Sequence, residues 1–263
     1  TFVPSTLDID LAEEGVGVLH IRSVYDLDGV DISPLGINAL ADPLQATAAE
    51  RPARFLRLVK AVSIPDDEVL DFDNSAFGRS SAQLMREVLG YVPIEPDGSV
   101  KVKVPADVAF MISVVNADGQ RIFDRHRNWL QVKPGENREC TGCHTANSEL
   151  PHGRPGAEAE SINTGAANTG LPFPNTEPAL FADMGETMAE TYARINGVRE
   201  LSVDLIFDDE WTDPALRAKD ESFARLFSNL LTETPATEGC QDRWNSTCRI
   251  TIHFAEHIQP LFE

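Results

Sequence analysis

Cys140-Thr141-Gly142-Cys143-His144 constrains this 263-residue chain more than any other stretch. Two thiols three positions apart can add across the two vinyl groups of one porphyrin, and a histidine that follows at once is placed to ligate the iron from one face. The pentapeptide predicts one covalently bound haem c, with Cys140 and Cys143 as the thioether anchors and His144 as the proximal iron ligand.

Two other readings of the same residues compete. Zinc would find four ligands of suitable softness in Cys140, Cys143, His144 and His152. Adjacent Cys143 and His144, however, do not normally chelate one tetrahedral ion. A redox CxxC wants a βαβ context, whereas the sequence before it reads as all-β.

That β character comes from alternation. Val18–Tyr25 and Arg54–Val62 alternate apolar and polar residues, and Ser99–Val104 puts three valines on one face. Ala109–Val115 and Asn128–Val132 continue the series, with Asp97-Gly98 and Asp118-Gly119 as tight turns between strands. Ser80–Leu89 reads as a short inserted helix. Asp26-Leu27-Asp28-Gly29-Val30-Asp31 has the alternating carboxylates of a calcium loop but lacks the later bidentate Glu, so an Asp-Gly turn is the better reading.

Farther on, Leu180, Met184, Met188, Tyr192 and Ile195 recur at helical spacing, with Asn196-Gly197 as the stop. Val203–Phe207 reads as a strand, Phe223–Leu231 as an amphipathic helix and Arg249–Phe254 as a strand. The expected fold is α+β, mainly β, in three stretches. Residues 1–135 form a small antiparallel sandwich, and 136–178 hold the haem motif and a loop that wraps the porphyrin. Residues 179–263 form a mixed helix/strand segment.

Lys+Arg 22 against Asp+Glu 42 gives a net charge of −20, which argues against nucleic acid and anionic membranes as partners. No apolar run approaches the roughly 20 residues of a membrane span. The chain opens at Thr1 without methionine, as it would after removal of a signal or lipid-anchor segment. Cys240 and Cys248 lie close together in a polar loop, and a disulfide between them would stabilise the fold by roughly 2–3 kcal/mol on the chain-entropy model. Both cysteine pairs point to a periplasmic or extracellular location.

The sixth iron ligand decides what a haem does: His gives a low-potential electron carrier, Met raises the potential, and an open position admits small-molecule chemistry. His152, on a Pro-His-Gly turn, is the first candidate. Met188 or Met184 comes next, against their reading as core filler. His257 is a candidate for this haem or a neighbouring one, whereas His126 and His20 read as strand-end residues and His253 alternates on the last strand.

Leu89-Gly90-Tyr91-Val92-Pro93-Ile94-Glu95-Pro96-Asp97-Gly98-Ser99, then Val102–Ala106, then His126-Arg127-Asn128-Trp129-Leu130-Gln131-Val132 leading into the pentapeptide, carry a family likeness. They resemble the haem-bearing middle domain of the hydrazine synthase alpha subunit and related secreted multihaem c-type cytochromes. The resemblance covers about residues 18–155, and Met184–Thr191 more loosely. Glu256–Phe262 is similar to the lead-in to a further CxxCH in such chains, which implies a piece of a longer multihaem protein. The resemblance does not carry hydrazine synthesis with it. The expected function is extracytoplasmic electron transfer to other cytochromes or redox proteins. The rivals are a haem oxidoreductase with an open or displaceable sixth position and a redox-partner docking module.

Overall fold

The computed structural model describes residues 7–62, 68, 86–124, 126, 128–145, 147–148 and 159–230. His152, Cys240, Cys248, His253 and His257, and with them the expected disulfide and last strand, lie outside the described residues. The chain divides into two compact units, residues 1–60 with 87–224 and residues 61–86 with 225–263. The core and the pentapeptide belong to the first. That unit runs through both positions, 135 and 178, at which the sequence reading divides the chain.

In chain order the first unit begins with α1 (Ile9–Glu13), β1 (Val16–Ile21), β2 (Asp26–Leu27), β3 (Val30–Asp31) and α2 (Ile37–Leu40). β4 (Phe55–Ala61), β5 (Arg86–Pro93), β6 (Val100–Pro105), β7 (Phe110–Val115) and β8 (Asn137–Cys140) follow. The later elements are β9 (Leu171–Pro172), β10 (Phe181–Ala182), α3 (Met188–Asn196), β11 (Leu205–Phe207) and β12 (Phe223–Arg225). The fold is α+β and mainly β.

Two three-stranded sheets, β6-β1-β8 and β5-β4-β7, share one apolar core. The valine alternation in β6 works as expected: Val100, Val102 and Val104 are buried while Lys101 and Lys103 are half-exposed. β1 pairs antiparallel with β6, and β4 with β7. β1 is buried on both faces, with Leu19 and Ile21 in the main core and His20 beneath the start of α3, where its Nε2 and Thr187 Oγ1 share a hydrogen bond of 3.2 Å.

Several local expectations give way to tertiary pairing. Arg86–Leu89 belongs to strand β5, which pairs with β4, rather than to a helix; farther along the strand Tyr91 and Ser202 exchange backbone hydrogen bonds of 2.6 and 2.9 Å. A Cβ on Gly90 would come within 2.9 Å of Leu201 Cβ, so glycine is what lets these segments close up. The expected strand at Asn128–Val132 reduces to a single bridge between Leu130 and Phe110.

The helix expected from Leu180 starts only at Met188. Gly185 is left-handed, and Thr187 with Glu190 forms a reciprocal capping box. Met184 precedes the helix and is exposed. The amphipathic helix expected at Phe223–Leu231 is instead β12, paired with β11, followed by a 3₁₀ turn at Phe227–Leu230. The Phe223 ring packs on Phe55 and Phe207, with centroids 6.1 and 5.6 Å away, and that burial outweighs the helical period.

Candidate functional site

The pentapeptide is the continuation of a strand the sequence pattern does not reveal. Asn137-Arg138-Glu139-Cys140 is polar, yet it forms β8 and pairs in parallel with β1, placing Cys140 opposite Ile21. The chain then keeps running beside β2. Arg22 N–H donates to the Cys140 carbonyl at 2.9 Å, Cys143 N–H to the Asp26 carbonyl at 2.7 Å and Asp28 N–H to the Cys143 carbonyl at 3.0 Å. Past His144, Thr145 donates from both N–H and Oγ1 to Asp28 Oδ2, at 3.1 and 2.8 Å.

The Asp-Gly turn expected at residues 26–31 is therefore a bracket for the motif. β2 and β3 pair as a hairpin, and Asp28 and Gly29 both have positive φ, 53° and 80°. The Asp26 carboxylate accepts from Gly29 N–H, Ser161 Oγ and Ile162 N–H. Asn163 Nδ2 donates to the Arg22 carbonyl at 2.8 Å and to Asp97 Oδ2 at 2.9 Å. Residues 161–163 thus fold back onto the β1–β2 segment along which the pentapeptide runs. With each hydrogen bond contributing a net 0.5–1.5 kcal/mol or so, the backbone around the thiols is fixed by the protein itself.

Gly142 is needed for close approach. A Cβ there would lie 2.5 Å from the Asp26 carbonyl oxygen and 2.6 Å from Asp26 Cβ. Gly142→Ala is expected to break the bridge to the hairpin and to cost about 1–3 kcal/mol, as overpacking does. Denaturant titration of the two proteins checks it.

Cys140 and Cys143 are half-buried against the edge of the main core beside half-buried Ile122, Phe123, Leu130 and Ile162. Burial, then Cys140 and Asp26, push the Cys143 thiol up to about 12. A redox CxxC needs the opposite shift. Nor do Cys140, Cys143 and His144 gather as a metal-binding group. Among the described residues only His20, Glu139 and Glu190 do so, with ligand atoms within 4.8 Å of one another. That trio has other partners. Glu190 caps α3 and faces Arg22, and the His20 hydrogen bond holds the Glu139 carboxyl below its usual range against desolvation.

The donor set at the pentapeptide fits a covalently attached haem. It offers two thiols spaced for two thioethers, on a hydrogen-bonded backbone, followed at once by a histidine. His144 Nδ1 lies 3.1 Å from the Thr145 carbonyl oxygen. Cys140, Cys143 and His144 are each half-buried, so a group held there keeps one edge in solvent.

The structure also brings up a residue the sequence reading set aside. The His126 ring meets His144 with centroids 6.0 Å apart and planes at 89°. Burial, partly opposed by the Asn128 carbonyl and reinforced by His144, holds the His126 imidazole below its usual range. Met188, by contrast, is fully buried in a second core cluster with Ala41, Leu180 and Trp211.

Comparison with known proteins is narrow. Residues 53–145, about a third of the chain, match the family model of the hydrazine synthase alpha subunit middle domain. The stretch begins before β4 and ends just past the pentapeptide, so it contains both His126 and His144. No curated protein sequence matches the chain. Among solved structures, Kuenenia stuttgartiensis hydrazine synthase is 16% identical with a TM-score of 0.34, over 49% of this chain and 17% of that one.

Proposed function

We propose that the protein is a c-type cytochrome unit that carries single electrons outside the cytoplasm through one haem held by Cys140, Cys143 and His144. The observation that carries this reading is the clamped pentapeptide: two thiols whose backbone is hydrogen-bonded to the β1–β2 edge, followed at once by a histidine whose Nδ1 meets a backbone carbonyl. A haem held there would supply a one-electron Fe(III)/Fe(II) couple. Cys140 and Cys143 would hold it through thioethers, and His144, oriented by the Thr145 carbonyl, would ligate its iron. The half-buried surface leaves an edge open to another redox centre, as electron exchange requires.

The net charge of −20 favours a partner with a basic or neutral docking face, such as another cytochrome or redox protein. No helix among the described residues is long and apolar enough to cross a membrane. The family match at residues 53–145 supports placing the unit among larger haem proteins of the periplasm or cell surface, in which further haems and a lipid anchor would lie elsewhere. A Cys240–Cys248 disulfide belongs to the same oxidising setting.

Stopped-flow mixing of the reduced protein with an oxidised cytochrome, and separately with carbon monoxide, tests the assignment. Electron transfer to the cytochrome with an inert response to carbon monoxide is the expected result. Rapid carbon monoxide binding would instead make the unit an oxidoreductase with an open sixth position.

A further inference from the structure

His126 and His144 come from separate loops, yet their rings are held in the same way. His126 Nδ1 lies 2.7 Å from the Asn128 carbonyl oxygen and His144 Nδ1 lies 3.1 Å from the Thr145 carbonyl oxygen. A carbonyl oxygen can only accept, so each Nδ1 carries the proton and each Nε2 carries the lone pair. A backbone carbonyl on the far nitrogen is the usual outer contact of a metal-ligating imidazole: it fixes the tautomer, orients the ring and raises its basicity. We propose that His126 is the second axial ligand of the iron, opposite His144. The assignment rests on the haem reading above and extends it by naming the sixth ligand.

The spacing bears on what the two rings share. With metal–nitrogen bonds of about 2.0–2.1 Å, two imidazoles at a tetrahedral angle set their centroids about 5 Å apart, and two on opposite sides of one ion set them about 6.3 Å apart. The observed 6.0 Å is nearer the opposed arrangement. Ordinary edge-to-face ring pairs also span about 4.5–7 Å. Such a pair, however, has no use for two Nδ1 atoms pinned alike, whereas two axial ligands do. Opposed imidazoles make the iron six-coordinate and low-spin, with a low potential and no vacant position for small molecules. Planes near perpendicular, here 89°, further imply a low-spin ferric signal with one very large g value rather than a rhombic one.

The test uses the whole chain produced with a cytochrome c maturation system, as wild type, His126→Ala and His126→Met. Intact mass is read first, and an adduct of about 616 Da on all three is expected, because the thioethers do not involve His126. Wild type without the adduct overturns the haem reading itself, and the ligand assignment falls with it. With the adduct present, wild type is expected to be low-spin and inert to carbon monoxide, with the single large-g resonance. His126→Ala should turn high-spin, bind carbon monoxide rapidly and return to low-spin on adding imidazole. His126→Met should stay low-spin at a more positive potential. A high-spin wild type, a rhombic low-spin signal, or a low-spin His126→Ala spectrum identical to wild type would overturn the assignment. The resonance measurement needs no variant, so it decides even if a substitution prevents folding.

Discussion

Arg199→Ala is expected to destabilise the fold by about 3–5 kcal/mol, the usual consequence of leaving one member of a buried ion pair without its partner. Arg199 Nε donates to Glu95 Oε1 at 2.8 Å, and its Nη2 pairs with Glu210. Glu95 is only 5% exposed, and its other oxygen accepts from Trp211 Nε1 at 2.7 Å. Tyr192 lies under the guanidinium, 3.6 Å from its carbon to the ring centroid, so the arginine also ties α3 to the network. Arg199, Glu95, Glu210 and Trp211 line a cavity of about 190 Å3 together with Arg51 and Arg54. Removing the guanidinium strands the Glu95 carboxylate beneath Trp211 and enlarges that cavity. Arg199→Lys keeps the charge but loses the fork that engages two carboxylates and stacks on Tyr192, so it should recover only part of the loss. Denaturant unfolding of the three proteins at one pH measures both steps. A change below about 1 kcal/mol for Arg199→Ala would mean the network is no better than a solvated surface pair.

Replacing Cys140 and Cys143 together by serine is expected to abolish covalent haem attachment while leaving the β1–β8 pairing in place. The hydrogen bonds that hold the pentapeptide use the Cys140 and Cys143 backbone, not their sulfurs. Acidified organic solvent should extract all pigment from the double variant and none from the wild type. Each single variant should retain one thioether and resist extraction. Pigment still covalently held in the double variant would show that other residues make the attachment. Far-UV circular dichroism separates loss of attachment from loss of fold.

The proposed haem attachment is read from a local signal, five consecutive residues that stand out whatever surrounds them. β4, β6 and β7 were legible for a similar reason, since alternation such as Val100, Val102 and Val104 reports a half-buried strand without reference to its partner. β8 was not, because Asn137-Arg138-Glu139 has no apolar alternation and owes its strand to parallel pairing with β1, far away in the chain. At α3 a local signal was present and overlooked. The Thr187 and Glu190 capping box marks the start at Met188, but the apolar period running back to Leu180 masked it. Phe223 shows the reverse, an apolar stripe at helical spacing whose rings meet Phe55 and Phe207 and settle as a strand. His126 was hidden in another way. In sequence it reads as an ordinary strand-end residue, and only the fold of the chain after β7 brings its ring to His144.

Intact mass spectrometry of the purified chain, paired with its visible spectrum in alkaline pyridine, decides whether Cys140 and Cys143 hold a haem covalently. The expected result is a single species heavier than the polypeptide by about 616 Da, with the reduced spectrum of a haem whose two vinyl groups are saturated. A colourless protein at the bare polypeptide mass, or a zinc ion bound in place of the pigment, would overturn the haem assignment.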